Sequence, residues 1–182
     1  MFMLKKFLIT AIGLAAASAM FAPQAIASTT TTGLWPVNSM DLRLGAFFPG
    51  SSGDKFFGGE TQLTAGLDYR MSASGGLTPS ATDAYFDYMG GARNSGYVHS
   101  GGLGLDVRGM TGPTFFGAGV GLYNTSVRLG DGTSNSRTGP GGKVFAGFDL
   151  GSNASLQLDY HIVPQTLGVN PSGLGVEVGF HL

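Results

Sequence analysis

Beyond residue 40 the chain keeps returning to one pattern, an apolar residue at every second position with a polar residue or glycine between. In residues 40–48 the even positions are Met40, Leu42, Leu44, Ala46 and Phe48, and the odd ones are Asp41, Arg43, Gly45 and Phe47. Successive side chains leave a β-strand on opposite sides, so a period of two marks a strand with two unlike faces. The pattern recurs in residues 63–71, 84–89, 103–108, 116–122, 143–150, 154–162 and 173–182, which makes eight segments. No stretch sustains a period near 3.6, so helices are not expected. Glycine, proline, serine and asparagine fill the connections at 49–54, 72–83, 90–94, 109–113, 130–142, 151–153 and 164–172. From the fourth segment on, these connections alternate short and long. The 72–83 link departs from that rule, where a tight turn is expected.

Composition sharpens the choice of architecture. The chain holds 32 glycines in 182 residues, only 12% charged residues and 11% aromatics. Disordered chains show the opposite balance of charge and aromatics, and the glycines lack the three-residue period of collagen. Many fall on the polar strand faces, at Gly45, Gly66, Gly102, Gly104, Gly117, Gly119, Gly121, Gly147, Gly173, Gly175 and Gly179. Strand glycine costs entropy and packs nothing, so it suits a place where space is short rather than a solvated face. Of the charges that follow residue 27, eleven lie on polar strand faces, eight in connections and none on an apolar face. Together these features place the charged, glycine-rich face inside a narrow barrel and the apolar face outside. The expected fold is all-β, an eight-stranded antiparallel up-and-down transmembrane β-barrel. A soluble exported lipocalin-like barrel, with the apolar face inward around a ligand, is the competing architecture.

The N-terminus supplies a compartment. Lys5 and Lys6 precede an apolar run from residue 7 to about 22, and Ala25 and Ala27 follow as small residues, the pattern of a secretory signal with cleavage before Ser28. The expected organisation is a signal peptide over 1–27, a periplasmic leader over 28–38 and the barrel over 39–182. Removing Lys5 and Lys6 leaves 8 basic against 11 acidic residues. There is no basic run for nucleic acid. The absence of Cys excludes disulfides, thiolate zinc sites and a lipidated N-terminal cysteine.

Eight alternating segments over residues 41–182 and an apolar final segment ending Phe180-His181-Leu182 make the chain resemble the small eight-stranded outer-membrane barrels, the group of OmpX-like proteins and the OmpA membrane domain. The resemblance implies residence in the cell outer membrane as a monomer, insertion by the barrel assembly machinery, contact with outer-membrane lipid and outer loops at 50–60, 90–94, 130–142 and 164–172 open to an extracellular partner. The terminal phenylalanine that such machinery reads is displaced here by two residues.

The inward face carries the candidate functional residues: Asp41, Arg43, Asp68, Arg70, Asp87, Asp106, Arg108, Lys143, Asp149, Asp159, His161 and Glu177. Asp41/Arg43, Asp68/Arg70 and Asp106/Arg108 share a spacing that sets acid and base on one face of one strand, ready to pair across strands into a structural network. A narrow conducting path is the functional alternative. Trp35, Phe48, Tyr69, Tyr88, Tyr97, Tyr123 and Phe180 lie at segment ends, where interfacial aromatic girdles occur. Catalysis on lipid A would need a serine, a histidine and an orienting carboxylate; His161 with Asp159 and Ser155 is the nearest approach, and it faces inward. His99 and Ser100 are strand neighbours that point apart. No metal, cofactor or catalytic site is expected: the histidines lack ligand spacing, no phosphate loop or dinucleotide fingerprint occurs, and residues 131–135 lack the acids of a calcium loop.

Overall fold

The computed structural model describes residues 37–74 and 80–182. The expected signal peptide, residues 28–36 of the expected leader with Trp35, and residues 75–79 of the 72–83 link lie outside the described residues. Eight strands run in order: β1 (Met40–Pro49), β2 (Gln62–Ser74), β3 (Ser80–Arg93), β4 (Gly96–Thr111), β5 (Thr114–Arg128), β6 (Ser134–Asp149), β7 (Ala154–Ile162) and β8 (Gly173–His181). Each pairs antiparallel with the next, and β8 returns to β1 with Leu44 opposite Val178. Closure leaves no free sheet edge.

The faces divide as the alternation predicts. Leu103, Val120 and Leu122 are 65%, 73% and 63% exposed, whereas Arg43, Asp68, Asp106 and Glu177 are buried inside. Large inward side chains lie against glycines of the neighbouring strand. A Cβ at Gly66 would strike the Arg43 guanidinium, one at Gly102 the Tyr123 ring, and one at Gly147 the Phe115 ring. At Gly119 it would come within 2.8 Å of Asp106 Cβ and 2.9 Å of the Tyr85 ring. These close approaches crowd the interior, where an eight-stranded barrel has room for little more than side chains.

Several boundaries differ from expectation. β2 and β3 extend until Ser74 faces Ser80, so the 72–83 link shrinks to residues 75–79 and Asp83 becomes a strand residue facing inward. The expected 90–94 loop is mostly strand, closed by a two-residue turn at Asn94 and Ser95, whose φ values of 52° and 60° suit the tight hairpin turn with left-handed central residues. Much of the expected 130–142 loop belongs to β6, paired with β5 from Arg128↔Ser134 to Val120↔Gly142. The 90–94 and 134–142 stretches carry no apolar alternation, because these ends of β3–β6 rise past the apolar belt, where an outward residue has nothing apolar to meet; at the opposite end Ser72, Ser74, Ser80 and Thr82 are themselves polar. The strands are consequently unequal: β3–β6 have 14 to 16 residues, and β1, β7 and β8 have 9 or 10. The long connections, at residues 50–61 and 163–172, gather at the same end as the turns at residues 94–95 and 129–133.

One short helix was not expected. α1 (Ser52–Gly58) is started by Ser51, whose side chain accepts from the Asp54 amide at 3.1 Å, and stopped by Gly59 at φ 98°. It is too short for any periodicity to reveal. Two glycines seat it in the barrel mouth: a Cβ on Gly91 would strike the Gly58 carbonyl, and one on Gly96 would lie 2.7 Å from the Phe57 ring.

Gly147→Leu should lower stability by about 3 kcal/mol, the upper end of overpacking costs, because the new side chain meets both the Phe115 ring and the Leu156 carbonyl. Outward-facing Leu122→Val should stay within about 1 kcal/mol. Urea unfolding of the protein folded in lipid vesicles measures both.

Candidate functional site

The barrel interior is built in three layers, each set by strand register. At the end opposite the long loops, Asp41, Arg70, Asp83, Arg108, Asp149 and His181 come together. Arg70 donates to both carboxylate oxygens of Asp83 at 2.8 and 2.9 Å. Arg108 lies 3.4 Å from Asp83, 3.6 Å from Asp41 and 3.1 Å from Asp68, with its guanidinium over the Phe115 and Phe145 rings at 4.9 and 5.2 Å. His181 Nδ1 is 2.7 Å from Asp41, and its Nε2 is 3.9 Å from the half-buried Asp149.

The middle layer centres on Arg43. Its guanidinium meets Asp68 at 2.9 Å, Asp87 at 2.6 Å and Glu177 at 2.5 Å, while the second Glu177 oxygen accepts from Thr64 at 2.6 Å. Lys143 reaches Asp87 and Asp106 at 3.3 Å and sits 3.9 Å above the Tyr85 ring. His161 Nε2 lies 2.9 Å from Asp159, and its other nitrogen lies 3.8 Å from Asp87. Phe47 and Tyr123 stand at 69° and 76° to the His161 ring, which is fully buried. His99 and Ser100 do point apart, the serine inward to Thr125 at 3.0 Å.

Above the charges the interior turns apolar. Phe47, Tyr85, Met89, Tyr123 and Val163 form one cluster. Val98, Val127 and Val169 form another, against which Phe57 of α1 and Leu129 pack. Val163 and Val169 belong to the 163–172 loop, which is tied to β1 by the Gly50 amide donating to Ser172 at 2.8 Å. Helix and loop thus pack against the apolar layer at the mouth. Within this cap Asp54 is fully buried, accepts from Gln62 Nε2 at 2.6 Å, and has its other oxygen unpartnered. Burial pushes its carboxyl up to about 6 against the pull of the Gln62 hydrogen bond.

All twelve expected lumen residues therefore face inward, and eleven are buried. Sequence reasoning missed Asp83, although 83, 85, 87 and 89 are in phase; Ser80 and Thr82 opposite are polar and hid the alternation. It also placed Tyr123 in an outer girdle, whereas the ring is inside with its hydroxyl 3.3 Å from Asp87. The fifth strand runs to Arg128, so the inward phase of 117, 119 and 121 carries on through 123. Among the described residues no three His, Asp or Glu side chains converge as metal ligands.

Protein-family models give no match to the sequence, and curated proteins give none either. Solved structures do. The N-terminal β-barrel domain of Pseudomonas aeruginosa OprF is similar with a TM-score of 0.53 at 13% identity, over 80% of this chain and 98% of that one. Neisserial surface protein A is similar with a TM-score of 0.50 at 14% identity, over 79% and 94%. The chain has the small outer-membrane barrel fold. Ail, the attachment invasion locus protein of Yersinia pestis, shares it with a TM-score of 0.50 at 13% identity, over 79% of this chain and 97% of that one. The lipocalin-like arrangement needs the apolar face inward, and this barrel holds it outward on all eight strands.

Arg43→Met leaves Asp68, Asp87 and Glu177 buried without their shared cation and should cost about 3–5 kcal/mol in urea unfolding. Asp54 binds its proton more tightly in the folded chain than in the unfolded one. Seating of α1 is therefore strongest below about pH 4, and that contribution is lost as pH rises through about 6. Hydrogen exchange of the 52–58 amides, corrected for intrinsic rates, should accelerate across that window, and Asp54→Asn should flatten the dependence.

Proposed function

We propose that the chain is an integral protein of the cell outer membrane, exported by a signal peptide cleaved before Ser28, whose lumen is a closed polar plug and whose activity resides on its outer surface. The observation that carries this reading is the inversion of faces: a continuous apolar belt surrounds the barrel while eleven charged side chains are buried within it. A belt of that extent would associate or aggregate in water and suits hydrocarbon. Eight strands bring both barrel ends of the chain to the side of the short turns, the periplasmic side, and lift the long ends of β3–β6, α1 and the 163–172 loop to the cell exterior.

Closure of the lumen rests on two arrangements. Charged side chains paired at hydrogen-bonding distances fill the lower two layers, and the apolar clusters with α1 and the 163–172 loop fill the mouth. His161 and Asp159 serve the charge network rather than catalysis, since the ring is enclosed by Phe47 and Tyr123. The barrel acts as a monomer inserted by the assembly machinery, without a cofactor, and offers its exterior to lipid and to an extracellular partner.

Two measurements test this. The protein should require detergent for extraction and shift in electrophoretic mobility on boiling; release by osmotic shock as a soluble monomer overturns the membrane reading. Purified barrels should give no steady conductance in planar bilayers. Steady current that changes with Arg43→Ala or Arg108→Ala overturns the plug.

A further inference from the structure

The long ends of β3–β6 carry a polar strip on the same face as the apolar belt. Cross-strand registers define it: Gly90, His99, Ser126 and Ser136 form one row, and Ala92, Tyr97, Arg128 and Ser134 the next. These positions keep the outward phase of Phe86, Leu103, Leu122 and Val144, so the strip faces sideways, along the membrane. Arg128 stands six residues beyond Leu122 on one strand, about 20 Å along it and, at the usual tilt of about 40°, about 15 Å higher. Because the outward apolar residues of β5 end at Leu122 and Asn124, Ser126 and Arg128 follow, the strip stands above the acyl chains, where a glycolipid carries its sugar-phosphate headgroup.

Three rings in the strip are preorganised. Tyr88 and His99 stack with centroids 6.0 Å apart and planes 24° apart, and the Tyr88 hydroxyl bonds to His99 Nδ1 at 2.7 Å. Tyr97 continues the run 4.9 Å from His99. Gly90 leaves the space that His99 occupies, since a Cβ there would strike the imidazole. Beside the rings is a depression of about 370 Å³ lined by Tyr97, Ser126, Ser134, Asn135 and Ser136. Arg128 is exposed, stands between Tyr97 and Ser134 in register, and makes no ion pair among the described residues. An interfacial girdle needs only single rings. This strip adds fixed ring planes, a row of hydroxyls and a free guanidinium.

We propose that the outward face of β4–β6 above the apolar belt binds the sugar-phosphate headgroup of an outer-leaflet glycolipid. The sideways aspect selects a molecule anchored in the same membrane. Ring faces pack against the apolar faces of sugars, the serine and asparagine side chains exchange hydrogen bonds with sugar hydroxyls, and Arg128 meets a phosphate with the planar fork that phosphate oxygens match. The inference rests on the outer-membrane reading.

The test places the folded protein in phosphatidylcholine nanodiscs containing a minor fraction of either lipopolysaccharide or phosphatidylglycerol, re-extracts it in mild detergent and measures retained lipid by native mass spectrometry. Lipopolysaccharide should be retained in preference to phosphatidylglycerol. Arg128→Gln and Tyr97→Ala should each lower retention about tenfold, as the loss of one charge-assisted or stacking contact implies, while Leu103→Ala on the apolar belt should not. The heat-induced mobility shift confirms that each variant is folded. Equal retention by wild type and Arg128→Gln, or equal retention of the two lipids, overturns the site while leaving the membrane reading intact. A wild-type chain that stays out of the discs overturns both.

Discussion

The contact on which the rest of the structure depends is a large inward side chain lying over a glycine of the adjacent strand. Arg43 over Gly66, Tyr123 over Gly102 and Gly141, Tyr85 over Gly104, Phe115 over Gly147 and Phe145 over Gly117 repeat it around the barrel. Eight strands leave an interior only as wide as the side chains that fill it. Large residues on every strand would not fit, and small residues on every strand would leave a void. Alternating the two across strand pairs fills the interior while the backbone ladder stays intact.

Filling the barrel with charge rather than hydrocarbon brings its own constraint. A buried charge is tolerable only when paired and hydrogen-bonded. Seven buried acids, Asp41, Asp68, Asp83, Asp87, Asp106, Asp159 and Glu177, face four buried bases, Arg43, Arg70, Arg108 and Lys143. Sharing answers that imbalance: Arg43 serves three carboxylates, Arg108 three and Lys143 three. His161 and His181 add contacts to Asp159 and Asp41. The planar guanidinium, with donors in several directions, is suited to the shared position, which places arginine at the centre of the network.

The inward charges were legible because one acid-x-arginine spacing recurred on three strands, and the outward belt because no charge fell on it. Legibility ended where one face stopped being apolar. Asp83, Ser134–Gly142 and the 90–94 stretch all lie where the outward residues are polar, glycine, alanine or proline, with no large apolar side chain, so the alternation that marks a strand disappears while the hydrogen-bond ladder continues. Tyr123 escapes the pattern for a related reason: the apolar alternation of its strand ends near residue 122, and an aromatic at an apparent strand end looks like a girdle residue. α1 was invisible because a seven-residue helix completes too few turns to show a period, and its position depends on Gly91 and Gly96, which are distant in the chain.

What the sequence by itself determined is local: a period of two, repeated eight times, with glycine and charge on one face and hydrocarbon on the other. Those facts follow from side-chain direction along a strand and need no knowledge of neighbours. Only the tertiary structure decided which charges share a partner, how far β3–β6 rise past the apolar belt, and how α1 and the 163–172 loop pack at the mouth. Each of these depends on register between strands and on contacts between residues far apart in sequence, because a one-residue slip in pairing would turn every inward side chain outward.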